Sequence, residues 1–172
     1  MAAWFKGFFL GIGILLGLAE PREPPQMTML LNRNADSIYA SAELPGLPGK
    51  ALAELVDASY GIRIVAVLWV DPYKTTVWRI IRFDGLEYSV ELSETGTIHR
   101  TSSADAAWIM AARFIGIPMG NAASLSRPLK VGGSVAIAMA DEGSGDDPMV
   151  LWGYRPATVY RQLDSLDLVP YH

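Results

Sequence analysis

Six opening residues carrying a single lysine lead into a run of thirteen, residues 7–19 (GFFLGIGILLGLA), with no charged or hydrogen-bonding side chain. Such a run is a poor solvent-facing surface, because apolar area gains ~25 cal/mol per Å² on leaving water. It commits the first nineteen residues to a membrane, as an anchor or as an export signal, and leaves residues 27–172 to form a separate body. Residues 20–26 (EPREPPQ) hold three prolines and read as an extended spacer between the two.

As a signal peptide, the segment offers a short positive start at Lys6, an apolar core and a small-residue site at Gly17-Leu18-Ala19. As an anchor, residues 2–19 rise about 27 Å at ~1.5 Å per residue, slightly short of a ~30 Å hydrocarbon core. Trp4 and a snorkelling Lys6 at the membrane interface make up the difference. The glycines favour retention. Gly7 with Gly11, and Gly13 with Gly17, have the four-residue spacing that lets a second helix approach closely. The partners expected are the lipid bilayer and integral membrane protein subunits, in a hetero-oligomer. Lys6 and the amino terminus precede the segment and no basic excess follows it. That asymmetry places the N-terminus in the cytoplasm, the segment in the cell (inner) membrane and the body in a periplasmic or extracellular space.

Composition narrows the chemistry. A net charge of −4 with no basic run excludes electrostatic capture of phosphate backbones, so nucleic acid is not an expected partner. With no cysteine, disulfides, zinc-thiolate sites and thiol nucleophiles are excluded. Charged residues make up 19% of the chain, below the roughly 25% of an average soluble domain, which points to surface covered by core, lipid or partner. Residues 27–172 are enough for one domain.

Periodicity predicts an α+β body, an antiparallel sheet with two or three short helices, behind the N-terminal transmembrane or signal helix. Short strands are expected at residues 27–31 and 37–44. Residues 50–60 read as a helix with Leu52, Leu55, Val56 and Ser59 on one side, stopped by Gly61 in a left-handed conformation. Residues 62–70 (IRIVAVLWV) predict a central strand covered on both faces. After the Asp71-Pro72 turn, a strand over 76–83 leads into a two-residue hairpin at Asp84-Gly85. Over 86–92 the alternation is clean, with Leu86, Tyr88, Val90 and Leu92 facing in. A turn at Thr95-Gly96 and an extended segment over 97–100 follow. Ser102 or Ser103 caps a second helix over 104–115, with Gly116 and Pro118 as stop signals. Residues 131–140 and 149–152 read as another hairpin across an acidic loop, and Pro156 opens a last short helix ending near Leu166.

The segment 78–98 (WRIIRFDGLEYSVELSETGTI), preceded by the helix at 50–60, resembles the PepSY family of small extracytoplasmic domains through Asp84-Gly85, Tyr88-Ser89-Val90 and Thr95-Gly96. The resemblance covers residues 50–100. It implies a helix paired with a three-stranded antiparallel sheet, and a non-enzymatic domain that binds or restrains another protein. The family pattern carries an Asp three residues before the Thr of its last turn, where this chain has Leu92.

Catalytic constellations are poorly supplied. His99 and His172 are the only histidines. A triad drawn from His99, Asp105 and one of Ser93, Ser102 or Ser103 lacks a nucleophile elbow. The acidic loop at 141–147 offers oxygen ligands, but not with the spacing of an EF-hand, and reads first as a solvated connection. Glu87 and Glu91 on one strand would stand about 13 to 14 Å apart, too far for glycoside cleavage. The glycines of the opening run do not follow a strand and form no nucleotide fingerprint. No catalytic, cofactor-binding or metal-binding residue is therefore expected. The helix at 104–115 is apolar on nearly every side, so it is either core or clasped by a partner, with Trp108 and Phe114 as candidate contacts. The function expected is that of a non-catalytic, single-pass membrane-anchored accessory or structural subunit of a larger membrane complex. The alternatives are a secreted or periplasmic hydrolase or ligand-binding protein with a cleaved signal peptide, and a membrane-associated virion component of a phage.

Overall fold

In the computed structural model the described residues are 27–34, 36–125 and 129–140, together with the backbone of 150–154 and 169–170. In chain order the elements are β1 (Thr28–Asn34), β2 (Ser37–Glu43), α1 (Lys50–Asp57), β3 (Ile62–Val70), β4 (Tyr73–Phe83), β5 (Tyr88–Leu92) and β6 (Thr97–Thr101). Then come α2 (Ala104–Ala112), β7 (Arg113–Asn121), a 3₁₀ turn (Ala122–Ser124), β8 (Val131–Met139), β9 (Val150–Tyr154) and β10 (Val169–Pro170). The strands form two sheets where one was expected. Six are antiparallel in the order β6-β5-β4-β3-β8-β9, and four lie in the order β10-β1-β2-β7, with β10 parallel to β1.

The apolar, β-branched run at 62–70 takes the middle of the larger sheet because a strand paired on both edges and packed on its faces must leave water with few polar side chains, and Arg63 is the one polar side chain within it. Nine residues of β3 pair in unbroken register with β4 on one side and with β8 on the other. Ile62, Ile64, Ala66, Leu68 and Val70 are fully buried on one face, while Arg63, Val65, Val67 and Trp69 are half-buried on the other. Opposite Trp69 the neighbouring strand has Gly132, where a Cβ would come within 2.3 Å of the indole. The glycine leaves room for the ring to lie across β8.

Helix α1 buries Leu52 and Val56 against β3 and β4, as its spacing predicts. Its stop is not Gly61. Ser59 takes the left-handed conformation, with φ of 67°, and Gly61 instead provides space, since a Cβ there would meet the Ala140 side chain at 2.9 Å. Helix α2 is capped by Ser103, whose Oγ accepts the Ala106 N–H at 3.2 Å. It ends at Ala112, three residues short of the prediction, and Arg113 is already extended. The hairpin after β4 is also longer than two residues. Asp84 Oδ1 accepts the N–H groups of Leu86 and Glu87, both at 2.9 Å, closing a loop over 84–87. Leu86, predicted to face inward, is 85% exposed, whereas Tyr88, Val90 and Leu92 are buried as the alternation requires. The hairpin of β8 with β9 forms as predicted. The acidic loop at 141–147 and the helix predicted after Pro156 lie outside the described residues.

One continuous apolar cluster joins the layers, taking Leu31, Ile38 and Ile117 from the smaller sheet, Ile64, Leu68 and Val90 from the larger, Val56 from α1 and Trp108 from α2. The described residues are thus α+β, mostly antiparallel sheet with two α-helices. Residues 1–26 lie outside the described residues. Among the described residues, no helix is long and apolar enough to cross a membrane.

Candidate functional site

The smaller sheet turns one face to the core and the other to solvent, and the solvent face is where exposed aliphatic surface gathers. Cross-strand pairing sets Leu30 of β1 against Ser41 of β2, and Thr28 against Glu43, which in turn faces Arg113 of β7. Leu30 and Ile115 are 63% and 59% exposed. With Thr28, Ser41, Glu43 and Arg113 they line an open groove of about 300 Å³. Its floor is largely aliphatic. Its rim carries one ion pair, Arg113 Nε to Glu43 Oε1 at 2.8 Å, with both side chains about half exposed. A pair this wet contributes about 0.2 to 1 kcal/mol, so it shapes the rim more than it stabilises the fold.

A β-bulge makes this groove. Ala42 pairs with Phe114 and Ala40 with Ile117, so the single residue Ser41 stands against both Ile115 and Gly116. Gly116 has φ of 66°, a conformation that costs little only for glycine, and its N–H is bonded to Ser41 Oγ at 3.1 Å. The extra residue shifts the alternation by one. Phe114 and Ile117 consequently both point into the core, and Ile115 is left outside on the groove. Sequence reasoning assigned Gly116 as a helix stop. The three-residue spacing from Phe114 to Ile117 resembles helical periodicity, and only pairing with β2 resolves it as a bulged strand.

A second constellation missed in the sequence lies where the two sheets meet. Arg79 of β4 is the buried charged residue of the described core, 5% exposed. Its guanidinium donates to the Glu94 carboxylate and to the Met110 carbonyl in the last turn of α2, and lies over the Phe114 ring at 4.8 Å. Burial pulls the Arg79 pKa below its ordinary value, and the Glu94 carboxylate opposes that shift. The pair ties the β5–β6 turn, the end of α2 and the start of β7 together. The available signal was an arginine at an inward-facing position of the strand predicted over 76–83.

Two further polar contacts serve the fold. The Tyr88 hydroxyl donates to Asp57 Oδ1 at 2.6 Å, joining β5 to α1, and this bond, followed by burial and the Asp57 charge, raises the phenol above its usual pKa. Asp84 is held below the ordinary carboxylate value by the N–H groups of Glu87 and Leu86.

The structure does not bring the histidine triad together. His99 Nε2 approaches Thr97 Oγ1 at 3.3 Å, while Ser93 Oγ accepts the Trp78 N–H at 2.7 Å and Ser103 caps α2. Glu87 lies in the loop before β5, so Glu87 and Glu91 do not share a strand. Among the described residues no three His, Cys, Asp or Glu side chains stand together as metal ligands. Trp108 and Phe114, read as candidate partner contacts, are buried in this fold at 3% and 0% exposure, because α2 packs on β4, β5 and β6 and the bulge turns Phe114 inward. Gly7, Gly11, Gly13, Gly17, Trp4 and Lys6 lie outside the described residues. Compared with family models, with curated proteins and with solved structures, the chain matches none.

Proposed function

We infer that this protein is a non-catalytic, membrane-anchored accessory subunit whose body works by contact with other proteins outside the cytoplasm. The observation that carries the reading is the uncharged run at residues 7–19, joined by the seven-residue spacer 20–26 to a body whose groove opens at Thr28, the first residue of its first strand. A partner sharing the membrane would meet that groove first. The groove suits such a contact, since Leu30 and Ile115 offer aliphatic surface and the neutralised Glu43 and Arg113 pair adds little desolvation cost at the rim. The PepSY-like mode, in which the body binds or restrains another protein, belongs to the same proposal.

Detergent extraction of the native protein, followed by intact-mass measurement and native electrophoresis, tests it. The expected result is a chain that keeps residues 1–19 and co-migrates with integral membrane proteins. A soluble monomer whose first residue is Glu20 would overturn the reading in favour of an exported protein with a cleaved leader.

A further inference from the structure

The two sheets finish their accessible edges differently. On the smaller sheet, β7 is shielded. Tyr73 of β4 lays its ring against Gly120, and its hydroxyl bonds both the N–H and the carbonyl of Asn121, at 3.1 and 3.2 Å. Thr75 reaches the Pro118 carbonyl, and Pro118 has no N–H to offer. A proline, a bulge and a covering side chain are the devices by which proteins stop edge strands from pairing.

On the larger sheet, β6 has none of them among the described residues. It pairs with β5 over five residues in continuous register, from Leu92 opposite Thr97 to Tyr88 opposite Thr101. Thr97, Ile98, His99 and Arg100 are all exposed, Ile98 by 60%. The strand contains no proline, glycine or lysine, and β6 is the end of its sheet.

We propose that β6 is a self-association edge, pairing antiparallel with β6 of a second copy of this chain about a two-fold axis at His99. Keeping the two inner faces on one side restricts the pairing to registers centred on a residue, because directly opposed side chains share a face. Centring on His99 pairs all five residues, setting Thr97 against Thr101 and Ile98 against Arg100 of the other copy. A centre at Arg100 opposes two guanidinium groups, and a centre at Ile98 pairs only three residues within the strand. The His99 register also lays the exposed Ile98 beside the aliphatic stem of Arg100. On β5 the residue facing Ile98 is Glu91, so Ile98 lies between a carboxylate of its own chain and a guanidinium of the copy. This side-chain match is what singles out a second copy over an unrelated extended peptide. The two six-stranded sheets would join into one.

Light scattering on the full chain in detergent, across a concentration series, reads the association. The expected mass is that of two copies. Ile98→Lys opposes Arg100 twice in the pair and should weaken association about tenfold, while Ile98→Val, which keeps an aliphatic side chain beside the Arg100 stem, should retain it. Because the chain has no cysteine, His99→Cys introduces a single thiol that a short bis-maleimide should link to its counterpart. Leu86→Cys, at an exposed loop tip, should not be linked. A monomer at every concentration overturns the proposal, as does extra mass from a foreign chain in place of the second copy. A dimer indifferent to both Ile98 substitutions also overturns it, since helix packing through Gly7, Gly11, Gly13 and Gly17 would produce that result.

Discussion

The larger sheet holds nine residues of β3 in unbroken pairing with each neighbour, whereas β2 and β7 of the smaller sheet lose register twice within nine residues. Both sheets contribute to the same core, so the difference lies in what each does with its outward positions. Unbroken alternation makes β3 a rigid divider, with five fully buried residues at every second position. The interrupted alternation of β7 instead sends Phe114 and Ile117 to the same side and leaves Ile115 as exposed surface beside Leu30. Regular pairing stabilises the body, and irregular pairing lets it expose an aliphatic groove without giving up core residues.

The sharpest way to break this contrast is at the junction of the sheets. Glu94→Ala leaves the buried Arg79 guanidinium without its carboxylate, and chemical denaturation should show a loss of about 3 to 5 kcal/mol. An effect within the range of exposed substitutions would mean that the pair is solvated and does not lock the sheets together. Next, truncation of equivalent side chains should separate the sheets' two roles. Ile64→Ala should cost about 2 to 5 kcal/mol, as expected for a fully buried isoleucine. Ile115→Ala should stay within about 0.5 kcal/mol of the parent while weakening partner capture. Equal destabilisation by both would remove the distinction between core and groove. Between those two truncations falls Gly116→Ala, about 1 to 2 kcal/mol, because alanine resists the left-handed conformation of the bulge. Amide chemical-shift changes confined to β2 and β7 would locate that cost, and changes spreading through β3 would show that the bulge is not a local feature of the smaller sheet.

Legibility in the sequence followed the same divide. The regular elements could be read, because burial and pairing there follow a single period: β3 from its apolar run, β5 from its alternation, α1 from its spacing, and a serine cap at 102 or 103 from its position before an apolar helix, the structure choosing Ser103. The groove and the strand that shapes it could not. Residues 104–121 carry apolar side chains at spacings of both kinds, and local propensity extended α2 through Ile115. In the fold, Phe114 finds its pocket by pairing with Ala42, a residue 72 positions earlier. No window along the chain contains that information. Arg79 stood at an inward-facing strand position, but its partners could not be read locally, since Glu94, Met110 and Phe114 come from a turn, a helix and a strand far apart in the chain.

By itself the sequence determined the α+β class of the body and the central place of residues 62–70. These follow from solvent preference and from repeating patterns that act over a few residues. Tertiary structure alone decided that there are two sheets and not one, that Gly116 bulges a strand instead of ending a helix, and that Trp108 and Phe114 are core. Each of those outcomes depends on which distant strand supplies the hydrogen bonds, and backbone groups accept whichever partner lets the most apolar surface leave water.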